Sequence, residues 1–200
     1  DEITIETLSG IKKLKAYTSG GKVNRLRVDM GKAILDPKEI PVVLDGDKVV
    51  DRPVEIAGKN YNITCVSMGN PHCVVFMDDI DNLDIETVGP EFENDKLFPE
   101  RVNTEFVTVL DDHTIKMRVW ERGSGETWAC GTGACAVAVA ACENGFCKKG
   151  EDIKIKLKGG DLIINYTDET VYMTGNAEKV FEGEVEAVVA VWQILGIFLF

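Results

Sequence analysis

A cysteine at the predicted start of a buried helix is the residue in this sequence best placed to do chemistry. Cys130 is followed by Gly131-Thr132-Gly133 and then by a dense series of Ala, Val and Cys residues. That series predicts a helix enclosed on all sides, running from about Gly131 to the stop signal Asn144-Gly145. Backbone N–H groups and the positive end of the helix dipole would face an anion there, and they favour the thiolate form of a cysteine. We therefore expect a reactive sulfur directed at a carboxylate.

Three further polar motifs fall at the ends of predicted strands. They are Met68-Gly69-Asn70-Pro71-His72, Arg101-Val102-Asn103-Thr104 and Glu121-Arg122-Gly123. Taken singly, each has an ordinary explanation: a turn at Asn70-Pro71, a cap at Asn103, and a surface ion pair at Glu121-Arg122. Only their combination with the Cys130 segment indicates a binding site.

Charge and cysteine content restrict the partners and the cellular setting. The chain has 200 residues and a net charge of -12, with no basic run to offset the acidic excess. This argues against nucleic acid or an anionic membrane as a partner, and it is compatible with a small charged substrate. Three of the six cysteines fall in the predicted helix, where burial is favoured over disulfide formation. We expect a reducing, cytoplasmic location.

The remaining sequence is typical of a strand-rich protein with a few helices. Alternating apolar residues predict strands at about 3–5, 26–30 and 115–120, and a short acidic helix is expected at about 85–94. Turn signals between apolar runs predict hairpins. These turns are Ser19-Gly20-Gly21-Lys22, Asp45-Gly46-Asp47, Asp111-Asp112-His113 and Lys158-Gly159-Gly160-Asp161.

Taken in order and spacing, the four polar motifs resemble those of diaminopimelate epimerases. The most specific part is Ala129-Cys130-Gly131-Thr132-Gly133-Ala134 after Glu121-Arg122-Gly123, and the resemblance extends to about Ala187. It implies an isomerase that needs neither cofactor nor metal and interconverts L,L- and meso-diaminopimelate, for lysine and peptidoglycan biosynthesis. The expected partners are this small molecule and a second copy of the chain in a homodimer.

The resemblance also implies roles for individual residues. In the family, one sulfur removes the α-proton and a facing sulfur delivers a proton from the other side, so Cys130 is implied to be one of the two. His72 and Glu121 are implied to influence the cysteine pKa values. The residues implied to bind substrate are Asn70, Asn103, Glu121, Arg122, Gly131 and Thr132.

One catalytic element of the family is absent from the sequence. The second sulfur of the family precedes Gly-Asn-Gly, and no Cys-Gly-Asn occurs here. We interpret Cys65, Cys73, Cys135 and Cys142 as packing residues. The chain is therefore expected to be N-terminally incomplete and inactive alone. Two alternatives stay open: a related isomerase of the same fold, and a non-catalytic binding or scaffold domain.

The implied fold class is α+β (mixed α/β), with a strand-rich barrel-like domain wrapped around a central buried helix. Residues 31–175 would form a complete C-terminal epimerase domain. Residues 1–30 and 176–187 would be remnant strands of a truncated, similar N-terminal domain. Residues 188–200 are an atypical apolar tail.

Overall fold

The computed structural model describes residues 2–7 and 10–184, and within them the chain forms twelve strands and two helices. The predicted tail at 188–200 lies outside the described residues. The strands are β1 (Glu2–Thr7), β2 (Gly10–Ser19), β3 (Lys22–Asp29), β4 (Arg52–Ile56), β5 (Lys59–Ser67), β6 (Pro71–Phe76), β7 (Asn103–Asp111), β8 (Thr114–Glu121), β9 (Gly125–Thr127), β10 (Asp152–Leu157), β11 (Gly160–Tyr166) and β12 (Val171–Asn176). The helices are α1 (Ile85–Glu93) and α2 (Gly131–Glu143).

All twelve strands belong to one mixed sheet. Its order is β1-β2-β3-β12-β11-β10-β8-β7-β6-β5-β4, and β9 pairs with β8. The pairs β6/β7 and β8/β10 are parallel, whereas the other pairs are antiparallel. Each parallel pair is connected by a segment that includes a helix, as parallel pairing requires.

The central strands separate two hydrophobic cores because their side chains alternate between the two faces. Val74 of β6 and Val107 of β7 belong to the core around α2. Their neighbours Cys73, Val75 and Phe106 belong to a second core that includes residues of α1. A residue's position along the strand therefore decides which helix its side chain faces.

Helix α2 is the centre of the first core. Every residue from Gly133 to Ala141 is buried, and the helix contacts β5, β6, β7, β10, β11 and β12. Small side chains allow strands to approach the helix from several sides, whereas a helix on a surface would need one polar face. The helix ends at the C-cap Asn144, as the Asn-Gly signal predicts. The predicted sheet wrapped around a buried helix is confirmed.

Helix α1 is also confirmed, with caps that the sequence supplies. The Asp84 carboxylate accepts from the Thr87 N–H, and the helix continues to the C-cap Asn94. Its apolar side contributes Ile85, Val88 and Phe92 to the second core. Phe92 lies edge-on to Phe106, with 5.4 Å between the ring centroids, and thereby joins α1 to the sheet.

Three of the four predicted hairpins are present, and the one at Asp45-Gly46-Asp47 is wrong. The turns at 20–21, 112–113 and 158–159 connect paired strands, whereas residues 44–50 contain bends and no strand. Val42 and Val49 on either side are buried in the second core, but their backbones bond to separate segments. Val42 N–H donates to Pro37, and Val49 accepts from Cys65. The valines on either side of this turn are apolar because they are buried in the second core, and they do not belong to paired strands.

The N-terminal strands continue the same sheet. β3 pairs with β12 over Asp29↔Tyr172 to Arg25↔Asn176, and Leu14 and Val28 pack in the core around α2. The division at residues 31 and 175 stays a prediction. Within residues 2–7 and 10–184, neither helix is long and apolar enough to cross a membrane.

Candidate active site

Strand alternation brings three of the polar residues to the face that carries α2. His72 precedes Val74 by two residues on β6, and Glu121 follows Val119 by two on β8; both valines belong to the α2 core. Since alternate residues share a face, His72 and Glu121 point to the same side as these valines. β6 and β7 are parallel neighbours with His72 opposite Asn103. The end of this face therefore collects polar groups next to the start of α2.

Cys130 is the N-cap of α2, as predicted. Its backbone is extended, with φ -136° and ψ 107°, and its Sγ accepts from the Gly133 N–H at 3.4 Å. The Cys130 carbonyl accepts from the Ala134 N–H at 2.9 Å. A helix cannot satisfy its first N–H groups internally, and no described residue accepts from those of Gly131 and Thr132. Two donors thus remain beside the sulfur.

A chain of polar contacts connects the sulfur to the interior of the sheet. Thr132 Oγ1 lies 3.6 Å from Cys130 Sγ, and it accepts from Asn70 Nδ2 at 3.4 Å. Asn70 Oδ1 contacts His72 Nε2 at 3.0 Å. His72 Nδ1 contacts Glu105 Oε1 at 2.7 Å. The structure therefore brings together Cys130, Thr132, Asn70 and His72 of the predicted set.

Glu105 is the site residue that the sequence analysis missed. Its side chain and that of His72 are both 0% exposed. The available signal was its position on β7, two residues from Asn103 and two from the core residue Val107. An acidic side chain at a core-facing position of a strand is buried only when it is paired or hydrogen-bonded, so it indicates a polar site.

Asn103 and Arg122 form a second, connected part of the site. Asn103 is buried, its Nδ2 donates to the Pro71 carbonyl at 2.9 Å, and its Oδ1 accepts from the Arg122 N–H at 3.0 Å. This amide therefore ties the start of β6 to the end of β8. The Arg122 guanidinium donates to the Glu100 carbonyl at 2.9 Å. The cap-like explanation of Asn103 is thus partly correct.

Glu121 is held by the strand that returns beside it. The Thr127 hydroxyl on β9 donates to Glu121 Oε1. The preceding residue, Trp120, donates from Nε1 to Glu93 Oε2 at 2.7 Å, and Glu93 Oε1 accepts from the Gly123 N–H at 2.8 Å. Glu93, another residue not identified from the sequence, thus holds both sides of the Glu121-Arg122 pair.

The predicted thiolate bias of Cys130 is wrong for this structure. Burial, followed by the charges of Glu105 and Glu121, raises the pKa of the Cys130 thiol to about 12. The Thr132 hydroxyl and the Gly133 N–H act in the opposite direction. Desolvation in a site with two acidic neighbours outweighs the helix N-terminus, on which the thiolate prediction rested. Cys130 is a thiol at neutral pH.

The other five cysteines do not face Cys130. Cys65 and Cys73 are directly opposite each other on β5 and β6, in the core on the far side of the sheet. Cys135 is 0% exposed within α2. Cys142 and Cys147 lie at the other end of that helix. No group of three or more potential metal ligands occurs in the described part of the chain.

Comparison with known proteins places this arrangement in a family. A family model described as diaminopimelate epimerase matches residues 64–180. The diaminopimelate epimerase of Agathobacter rectalis is 50% identical over 196 residues, covering 94% of this chain and 68% of the relative. That of Acetivibrio thermocellus is 53% identical over 186 residues, covering 92% and 66%. The chain spans about two thirds of the length of these relatives.

Solved structures support the fold class. A probable proline racemase from Agrobacterium radiobacter superposes with a TM-score of 0.67 and 14% identity, covering 88% of this chain and 57% of that one. At this identity the likeness concerns the fold alone, and it confirms the predicted α+β class. The match over residues 64–180 and the half-identical relatives go further: this chain belongs to the diaminopimelate epimerase family.

Proposed function

We propose that this chain supplies one half of a two-sulfur active site that epimerises diaminopimelate between its L,L and meso forms. The observation that carries the proposal is the N-cap position of Cys130, whose sulfur accepts from the Gly133 N–H at the start of a helix where the Gly131 and Thr132 N–H groups have no acceptor among the described residues. Membership of the family gives the reaction and the substrate their support.

The N–H groups would bind the carboxylate of the reacting amino-acid centre. A helix N-terminus attracts anions, and Gly131 lets the backbone come close to a ligand. Hydrogen bonds to the carboxylate stabilise the negative charge that develops when the α-proton leaves. The Glu121 carboxylate suits the substrate ammonium, and the Arg122 guanidinium suits a carboxylate. These polar groups would hold the α-carbon beside the Cys130 sulfur.

Inversion requires a second sulfur on the opposite side of the α-carbon. A thiolate removes the proton on one side while a thiol delivers one on the other, and each sulfur ends in the protonation state in which its partner began. We propose that Cys130 is one member of this pair. None of the other five cysteines is placed to be the second. The 200-residue chain alone is therefore expected not to epimerise diaminopimelate.

The test is exchange of the substrate α-proton with deuterium from D₂O. L,L-Diaminopimelate is incubated with the 200-residue chain, and with a chimera that adds the part of the Agathobacter rectalis relative that this chain does not match. We expect exchange with the chimera alone, and a loss of at least about 10³-fold in its Cys130→Ala variant. Exchange by the 200-residue chain itself would contradict the two-sulfur proposal.

A non-catalytic binding domain is the second candidate, favoured by the lack of a cysteine facing Cys130. It predicts that the 200-residue chain binds diaminopimelate and that a correctly folded chimera still shows no exchange. Titration calorimetry of the chain with L,L-diaminopimelate provides the binding measurement. The homodimer expected from the family resemblance stays a prediction, which light scattering of the chimera tests.

A further inference from the structure

Glu105 is a buried carboxylate whose two oxygens have different surroundings. Oε1 contacts His72 Nδ1 at 2.7 Å. Oε2 is buried and has no hydrogen-bond partner within the described residues. Leaving a carboxylate oxygen unpaired in the interior is costly, so packing alone does not account for an acid here. Glutamine or a hydrophobic residue would fill the same volume at lower cost.

Both ring nitrogens of His72 face side-chain oxygens. Nδ1 faces the Glu105 carboxylate, and Nε2 faces the Asn70 Oδ1, which is an acceptor. An imidazole ring donates from both nitrogens only as the imidazolium ion. An ionised Glu105 therefore pairs with a His72 that carries two protons. Asn70, with Oδ1 occupied by His72, directs Nδ2 to Thr132.

Glu105 is also close to the reacting sulfur. The point at which Gly133 would carry a Cβ lies 2.6 Å from Glu105 Oε1 and 3.2 Å from Cys130 Sγ. Glu105 Oε1 therefore contacts His72, and both this oxygen and the Cys130 sulfur lie close to Gly133. A negative charge in this position opposes ionisation of a thiol.

We propose that Glu105 is a positioning residue of this site, which keeps two protons on the His72 ring and keeps the proton on the Cys130 sulfur. The inference rests on the proposed function, because it assigns Cys130 the thiol role at the start of a turnover. Cys130 then delivers a proton, and the second sulfur of the pair begins as the thiolate. Burial raises the pKa of the Glu105 carboxyl, and the charge and hydrogen bond of His72 oppose that rise.

Charged groups from each neighbouring element contribute to this balance. Glu105 of β7 and Glu121 of β8 oppose ionisation of Cys130, whereas the Thr132 hydroxyl and the Gly133 N–H of α2 favour it. His72 of β6 contacts Glu105 Oε1, the oxygen that also lies next to Gly133. Cys135, one turn further along α2, is a buried thiol whose pKa is also raised. Glu105 is the acidic group among these that contacts the histidine.

The first measurement uses the wild-type 200-residue chain with ¹⁵N-labelled histidine. The sequence has two histidines, and the variant His113→Asn identifies the His72 signals. We expect both His72 ring nitrogens to give protonated ¹⁵N shifts at neutral pH. An unprotonated ring nitrogen would overturn the proposal, and this result needs no variant to fold.

The second measurement is the pH profile of Cys130 alkylation by iodoacetamide, read from the Cys130 peptide by mass spectrometry. In Glu105→Gln we expect the profile to move to lower pH, with alkylation about tenfold faster at pH 7.5. One His72 ring nitrogen should lose its proton. An unchanged profile, or a move to higher pH, would overturn the proposal.

Glu126→Gln is the matched control, since it removes one negative charge from the same sheet without contact to His72 or Cys130. It should leave both the alkylation profile and the His72 signals unchanged; a shift as large as that of Glu105→Gln would also count against a specific role. Neither measurement depends on epimerase activity. The ¹⁵N shifts and the alkylation profile can therefore be interpreted even if no deuterium exchange is observed. The exchange result can likewise be interpreted if these two measurements contradict the role of Glu105.

Discussion

Gly133 and Glu105 are in direct contact across the first turn of α2. A Cβ on Gly133 would lie 2.6 Å from Glu105 Oε1, and 3.2 Å from Cys130 Sγ. Glu105 is fully buried and bound to His72, so it cannot move away easily. Glu105 occupies the space that a side chain at position 133 would need, so this position requires glycine.

Gly133→Ala should therefore destabilise the protein by about 1–3 kcal/mol, because a small-to-large change in a packed interior forces its neighbours apart. Urea unfolding followed by circular dichroism measures this loss. Gly131→Ala is the matched control on the same helix turn. Its Cβ would meet Met173 Sδ at 3.1 Å, and a flexible methionine can adjust. Equal stability of Gly133→Ala and wild type would contradict the contact.

Glu93→Ala should cost about 2–4 kcal/mol in the free energy of unfolding. The substitution removes the buried acceptor of the half-buried Trp120 indole N–H and of the Gly123 N–H. Tryptophan fluorescence during chemical unfolding provides the measurement. Glu86→Ala, at an exposed position on the same helix, should change stability much less; a comparable loss would show that the hydrogen bonds of Glu93 are not the cause.

The ion pairs of Glu126 should make stability depend on pH. Burial raises the pKa of Glu126, but the hydrogen bonds and charges of Arg118 and Lys158 outweigh it, so its pKa is lowered in the folded state. A lowered carboxyl pKa stabilises the fold above the unfolded value, 4.5, and this contribution disappears as the pH falls through the folded value. Unfolding free energies of wild type and Glu126→Gln should therefore differ at pH 7 and converge near pH 3. A constant difference would exclude the charge as its cause.

Cys130→Ala and Cys135→Ala should separate chemistry from packing. Cys135 is 0% exposed inside α2, and truncation there should cost about 1–2 kcal/mol in stability while the proposed chimera keeps its exchange activity. Cys130→Ala should abolish exchange with a smaller stability loss. Thermal unfolding and deuterium exchange of both variants test this; equal losses of activity would argue against the assigned roles.

The sequence predicted those parts of the structure that depend on local patterns. The small-residue run after Cys130 identifies α2 because a helix enclosed by strands needs short side chains, and the Asn144-Gly145 signal marks its end. The same reasoning failed around Asp45-Gly46-Asp47. Buried valines flank that turn, but their backbone partners are distant segments that no local pattern specifies.

The motifs indicated where the site residues lie, but they did not give the balance of charges around Cys130. The position of Cys130 at the helix start predicts a thiolate only if no other group opposes the effect of the helix dipole on the cysteine pKa. The opposing effects come from Glu105 and Glu121 on separate strands, and their distance from the sulfur depends on the register of β7 and β8. Glu93 illustrates the same limit, since its partners Trp120 and Gly123 come from a strand end far along the chain.

The pairing of β3 with β12 has a consequence for biosynthesis. Thr170 donates to Asp29 across 141 residues, and β3 pairs with its inner neighbour, β12, along residues 172–176. While the ribosome is still making the intervening chain, the β2-β3 hairpin has one edge without a partner, and its Leu14 and Val28 lack the helix that later covers them. Such an edge invites association with other nascent chains. Translation speed and chaperone capture should therefore influence the yield of this protein more than that of one whose first strands pair locally.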